Sequence, residues 1–441
     1  MRLTKTCTKI ALREIFRRRD VQLFFLLIIV YTANLRPIVG DAEINNYVAI
    51  SIIREGDFDL DEFARYINAR TGPVQLKGVI EIRGHNVSTD DIGGSILAVP
   101  VFFVPVISGV NEESWIIPYL GKMAATILVA LSAIFLYYAL RRLTKEKYAF
   151  CITSIYAFAT SSWSISSQGL WSHGPSQFSL ALALYFLVRG LKERKYVAYS
   201  GLPLGFAVVC RSVNLLVLVI FGIYVLHKYR DKFLKFISLA VIPLIFLLWY
   251  NYYYFGSPFT SGKSFLYGKQ RLWKNNFLEG FFGQLISPSG GLFVYSPVLV
   301  FSIYGIYYSW KNWKIFFCYS TIVIFTVIAF YSRFKIWYGG SSWGPRYTTD
   351  ILPFFSILLI PAIKKVNEEK VLKVVFILLL AFSIFVQLEG ILFFDGKWHE
   401  EYNTGPADHS FLWSLENTQI AYYLKNPNFK IPINISLRIK R

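Results

Sequence analysis

Two carboxylates, Asp41 and Glu43, stand just beyond the first apolar segment of a chain that is otherwise greasy and basic. At membrane-surface depth a carboxylate is costly unless it is paired or put to use. The same stretch, "IVGDAEINNYVAISIIREGDFDLDEF", continues through Asp57, Asp59, Asp61 and Glu62, which read as a solvated acidic loop. Cations gather at the ends of later apolar runs: Arg211 in "VVCRSVN", Arg333 and Lys335 in "YSRFKIWYGG", and Arg346 in "SSWGPRYTTD". A planar guanidinium engages two oxygens at once, so these residue types favour binding of a phosphate or another anion.

Each cation also has a structural reading. Arg211 lies between "GLPLGFAVVC" and "VNLLVLVIFGIY", where it either snorkels from a helix hairpin or serves a substrate. Arg346 either pairs with Asp350 at the start of "DILPFFSILLIPAI" or binds phosphate. His173, just before Pro175 in "GLWSHGPSQFSL", has no second ligand nearby in sequence. Packing or a hydrogen bond to substrate therefore suits it better than a metal. Trp163, Trp171, Trp337, Tyr338 and Trp343 fit an interfacial aromatic belt, and their rings can also stack on sugars. Glu389 is a further acid near the outer end of the last apolar run, with no visible partner.

The elements that must hold these residues are membrane helices. The 441 residues are 54% hydrophobic and 18% aromatic, too apolar for a soluble domain. The net charge of +19 falls in short clusters between apolar runs rather than in a continuous stripe, which argues against nucleic acid and for topology signals. Four cysteines without metal-ligand spacing support neither a zinc site nor a disulfide framework. Apolar runs near 20–38, 116–140, 148–163, 175–190, 197–210, 213–227, 235–255, 291–309, 315–331, 350–363 and 371–393 predict an all-α polytopic membrane protein with about eleven transmembrane helices. With the basic arm 1–19 in the cytoplasm, "RRLTKEK", "RGLKERK", "HKYRDKFLK", "KNWK" and "KKVNEEKVLK" all fall inside. The proline-bearing segment 92–109 then lies in the interface or re-enters. The large first outer loop 39–115, segments 256–290 and 332–349, and the tail 395–441 face outward, around a membrane domain spanning 20–394. No Walker loop, dinucleotide fingerprint, nucleophile elbow or HExxH pattern occurs, so nucleotide-driven transport and the common hydrolase chemistries lose support.

In order and placement, "GDAEINNYVAISIIREGDFDL", "GGSILAVPVFFVP", "LWSHGPSQFSLALALYFLVRGL", "NYYYFGSPFTSG", "ISPSGGLFVYSPVL" and "WYGGSSWGPRYTTDILPF" resemble the GT-C superfamily of polytopic glycosyltransferases. That superfamily includes protein O-mannosyltransferases, the aminoarabinose transferase of lipid A and galacturonosyl transferases. The resemblance implies interfacial helices in the first outer loop. It also implies transfer of a sugar from a polyprenyl-phosphate carrier to a glycan, lipid or protein acceptor at the extracytoplasmic surface. By position Asp41 is the implied catalytic acid/base and Glu43 its neighbour. The family's frequent adjacent Asp-Glu pair is here Asp-Ala-Glu, which leaves open which carboxylate is the base. Arg211 and Arg346 are the implied partners of the leaving phosphate, with Arg333, Lys335 and His173 as further substrate-binding candidates. Some relatives use a divalent metal at this loop. The short acidic pair supplies too few oxygen ligands to make one obligatory, so no cofactor is assigned. A transporter or flippase of lipid-linked sugars, or a non-catalytic scaffold, accommodates the same charges.

Overall fold

The computed structural model describes residues 18–34, 36, 42–67, 76–265, 273–312, 314–405 and 408–427; Asp41 lies outside them, as do the arm 1–17 and the end of the tail. Helix makes up 73% and strand 3%, an all-α fold. The helices are α1 Arg19–Ala33, α2 Ile44–Arg54, α3 Gly93–Ile107, α4 Ile116–Leu143, α5 Glu146–Phe158, α6 His173–Gly190, α7 Gly201–Cys210, α8 Asn214–Lys228, α9 Arg230–Phe255, α10 Phe277–Ile286, α11 Phe301–Lys311, α12 Ile315–Ser332, α13 Leu352–Glu368, α14 Lys370–Phe393 and α15 Gln419–Lys425, with shorter turns between them. Among the described residues four of these, α4, α9, α12 and α14, are long and apolar enough to cross a membrane. The apolar stretch of α4 is 72% buried, whereas those of α9 and α14 are 22% buried, so α4 is central and the other two lie at the periphery.

Local sequence explains where helices start and stop. Pro353 occupies the first turn of α13, where its missing N–H costs nothing. Gly256, at φ +76°, ends α9 in the left-handed conformation. The run 291–309 is not one helix: Pro297 breaks it into a short turn Leu292–Tyr295, a 3-10 turn Pro297–Val300 and α11. Segment 256–290, expected on the outer face, carries α10, whose N-cap Asn276 accepts from the Leu278 and Glu279 amides.

The first outer loop holds more than helices. Val79–Ile82 (β1) pairs antiparallel with His85–Ser88 (β2), and the linking Arg83 and Gly84 both have positive φ, as a two-residue hairpin turn needs. The segment 92–109 forms α3, a 15-residue helix about 22 Å long, short of the hydrocarbon thickness. It packs on α2 and leaves Phe103, Val104 and Ile107 exposed. The tail residues Trp398, Phe411, Leu412 and Tyr423 form a separate core with Trp337, Tyr338 and Trp343.

Chain reversals divide the bundle into two ends. At one end Arg19 meets Glu146 at 3.5 Å, Arg142 meets Glu193 at 3.8 Å, and Arg194 meets Asp231 at 2.6 Å. The start of α6, the end of α7 and the start of α8 lie at the other end.

Candidate functional site

The charge interrupting two apolar runs, Arg211, sits at the C-cap of α7 and is buried. Its Nε lies 2.8 Å from Asp350 Oδ2, Nη2 donates to Tyr331 Oη at 2.7 Å, and Nη1 donates to His173 Nε2 at 2.9 Å. A guanidinium only donates, so His173 Nε2 holds the lone pair and Nδ1 carries the proton, which faces Asp350 Oδ1 at 3.3 Å. The imidazole is thus neutral and both its nitrogens are occupied. The sequence left Arg346–Asp350 pairing open. In the structure Asp350 serves Arg211 and His173, and no carboxylate among the described residues pairs with Arg346. Arg346 instead lies over Trp171, 4.8 Å from the ring centre.

A second charged cluster meets this one because two glycines permit close backbone contact. A Cβ on Gly93 would stand 2.6 Å from the Cys210 amide, and one on Gly262 would stand 2.6 Å from Thr89 Cα. These approaches bring Asp91, from the turn before α3, against Ser212, whose hydroxyl donates to Oδ1 at 2.9 Å. They also bring Lys263 to 3.0 Å from Asp90 and 3.5 Å from Asp91. Burial pushes the Asp91 carboxyl above the ordinary range, against the pull of Lys263 and Ser212.

Both clusters open on one cavity of about 280 Å³. Asp90, Asp91, His173, Arg211, Lys263 and Arg346 supply its charged and polar wall, and Trp273, Phe330, Phe334 and Tyr347 its apolar wall. Trp273 packs 4.8 Å from Phe330 and 5.1 Å from Phe334. Such a space accepts an anionic head together with a hydrocarbon chain. Trp171 also borders a second cavity of about 390 Å³, lined by Asn34, Arg36, Gln168, Ser342, Asp395 and Glu400 among others.

His173, Arg211 and Arg346 therefore converge as functional candidates, and the other residues singled out in the sequence do not join them. Glu43, at the N-cap of α2, is half-buried and lines neither cavity; burial raises its carboxyl above the usual range. Arg333 is exposed, and Lys335 offers its carbonyl to His409 Nε2 at 2.7 Å while its side chain stays outside the cavity. Asp90, Asp91 and Lys263 escaped the sequence reading. The available signal was an acidic pair one residue ahead of Gly93-Gly94 and one lysine in the glycine-bearing stretch after α9.

The later acids of the first loop are not merely solvated. Asp57 accepts from Ser51 Oγ at 2.7 Å, and Asp61 Oδ1 accepts from the Asn86 amide at 2.7 Å. Asp59 is buried against Tyr254. Among the described residues, Asp59, Asp61 and His85 form one group able to hold a metal, their ligand atoms all within 4.8 Å. His85 Nδ1 lies 3.2 Å from Asp59 and 3.0 Å from Asp61, an arrangement that a histidine bridging two carboxylates satisfies unaided. Burial opposes ionisation of Asp61, yet hydrogen bonds from Asn86 and His85 hold its carboxyl below the usual range. The group borders neither cavity. Set against known proteins, the chain matches no family model, and no curated sequence matches it significantly.

Proposed function

We propose that this protein is a polytopic membrane glycosyltransferase of GT-C type, moving a sugar from a polyprenyl-phosphate donor to an acceptor hydroxyl on the extracytoplasmic side. The observation that carries the reading is one cavity with Arg346 and Lys263 at its polar end and an aromatic wall beside them. In this reading about eleven helices cross the bilayer, shorter ones tilted or enclosed by neighbours. The N-terminus is cytoplasmic, and the ion-paired basic end of the bundle faces the cytoplasm.

A carboxylate accepts the proton of the acceptor hydroxyl, whose oxygen attacks the anomeric carbon. The bond from that carbon to the phosphate oxygen breaks, and the electron pair leaves with the lipid phosphate. A positioned base contributes about 10²–10⁴-fold. A single direct displacement inverts the anomeric configuration. Asp41 and Glu43 are the proposed catalytic carboxylates by their position in the sequence and the resemblance; burial raises the carboxyl of Glu43, which borders neither cavity. Arg346 receives the phosphate charge, because Arg211 is already neutralised by Asp350.

Purified protein in liposomes with polyprenyl-phosphate sugars and candidate acceptors tests this directly by mass spectrometry. A new glycosidic linkage, lost in Asp41→Asn with Glu43→Gln, is the expected result. Carrier movement across the bilayer without any new linkage replaces the reading with a transporter or flippase.

A further inference from the structure

The second cavity differs in character from the first. Its wall mixes Asn34, Arg36, Lys77, Gln168, Asp395 and Glu400 with the indole rings of Trp171 and Trp343. Three of these residues hold buried polar atoms with no hydrogen-bond partner among the described residues: Arg36 Nη1, Trp171 Nε1 and Asp395 Oδ2. Each such atom left unsatisfied costs about 1–3 kcal/mol, and native proteins seldom tolerate several around one space. Among the described residues the nearest cation to Asp395 Oδ2 is Lys397 at 3.7 Å, beyond a hydrogen bond, while Oδ1 is taken by the Lys397 amide and the Tyr423 hydroxyl.

The unmet set is two donors and one acceptor beside the Trp171 indole. A phosphate would satisfy Arg36 and the indole but would repel Asp395 and Glu400. A hydrocarbon chain would satisfy none of them. A polyhydroxylated ring satisfies all three, since each hydroxyl both donates and accepts, and its C–H face can lie on an indole. We propose that this second cavity binds a saccharide. If the protein is a glycosyltransferase as proposed above, that saccharide is the acceptor, which makes the acceptor a glycan rather than a peptide or a plain lipid.

The test uses full-length protein in nanodiscs with methyl glycosides of glucose, galactose, mannose and N-acetylglucosamine as probes, read by saturation-transfer NMR. At least one glycoside is expected to bind wild type. Asp395→Asn, which keeps the Oδ1 contacts, is expected to weaken it about tenfold, one charged hydrogen bond's worth. Arg36→Gln should do likewise, whereas Lys263→Gln should leave glycoside binding within twofold. Failure of all four glycosides to bind wild type overturns the inference, as does binding lost in Lys263→Gln but kept in Asp395→Asn. Thermal unfolding of each variant separates misfolding from lost contacts. Glycoside binding without any transfer in liposomes would retire the enzyme reading and leave the saccharide site standing.

Discussion

Arg211 Nε and Asp350 Oδ2 stand 2.8 Å apart, both residues buried, with His173 reaching each of them through a different ring nitrogen. This closed set of contacts joins α6, α7 and the turn leading into α13. Removing either charged member, Arg211 or Asp350, leaves an uncompensated charge. Asp350→Asn is therefore expected to destabilise the protein by about 3–5 kcal/mol, while the double change Arg211→Met with Asp350→Leu costs much less. Thermal unfolding in detergent distinguishes the two, and equal losses would show that the pair itself is not what the fold depends on.

Arg346 is held differently, by the face of Trp171 instead of a carboxylate. Its planar fork matters as much as its charge. Arg346→Lys is expected to weaken binding of polyprenyl phosphate about tenfold, and Arg346→Gln more, as measured by native mass spectrometry. Full retention by the lysine variant would reduce the role to charge alone.

The pH profile of transfer should carry the mark of burial. A general base acts when deprotonated, and Glu43 has its carboxyl raised by desolvation. The acidic limb of kcat/KM is thus expected to lie above the pKa of about 4.3 of a free glutamate, with rate rising as pH rises through it. If Glu43→Gln retains activity with the limb unmoved, the titrating group is another carboxylate.

Gly93 sets how closely the first outer loop approaches the end of α7. A methyl group there meets the Cys210 amide at 2.6 Å, so backbone must shift. Gly93→Ala is expected to cost about 1–3 kcal/mol and to weaken polyprenyl-phosphate binding by moving Asp91 from Ser212. Unchanged stability and unchanged lipid binding would show that the contact is slack.

Much of this arrangement is legible in the sequence where charge interrupts hydrophobic pattern. Arg211 stands out between two apolar runs, and Arg346 follows a Gly-Pro pair. Asp350 shows what local spacing misses. Its place four residues after Arg346 suggests a local pair, yet its partner comes from α7 through tertiary packing. Asp91 and Lys263 sit in unremarkable polar loops, and only the glycine contacts that press those loops together reveal them. The hairpin and α10 escape notice for a similar reason: each is short, and its apolar residues do not form a membrane-length run.

Trp171 lines both cavities, so one residue borders two compartments. Its size then does more than support Arg346. In the proposed reading the lipid-linked sugar lies on one side of that ring and the acceptor on the other. Trp171→Ala would open a breach between the compartments, and the expected symptom is a leak: free sugar released from the donor when no acceptor is present.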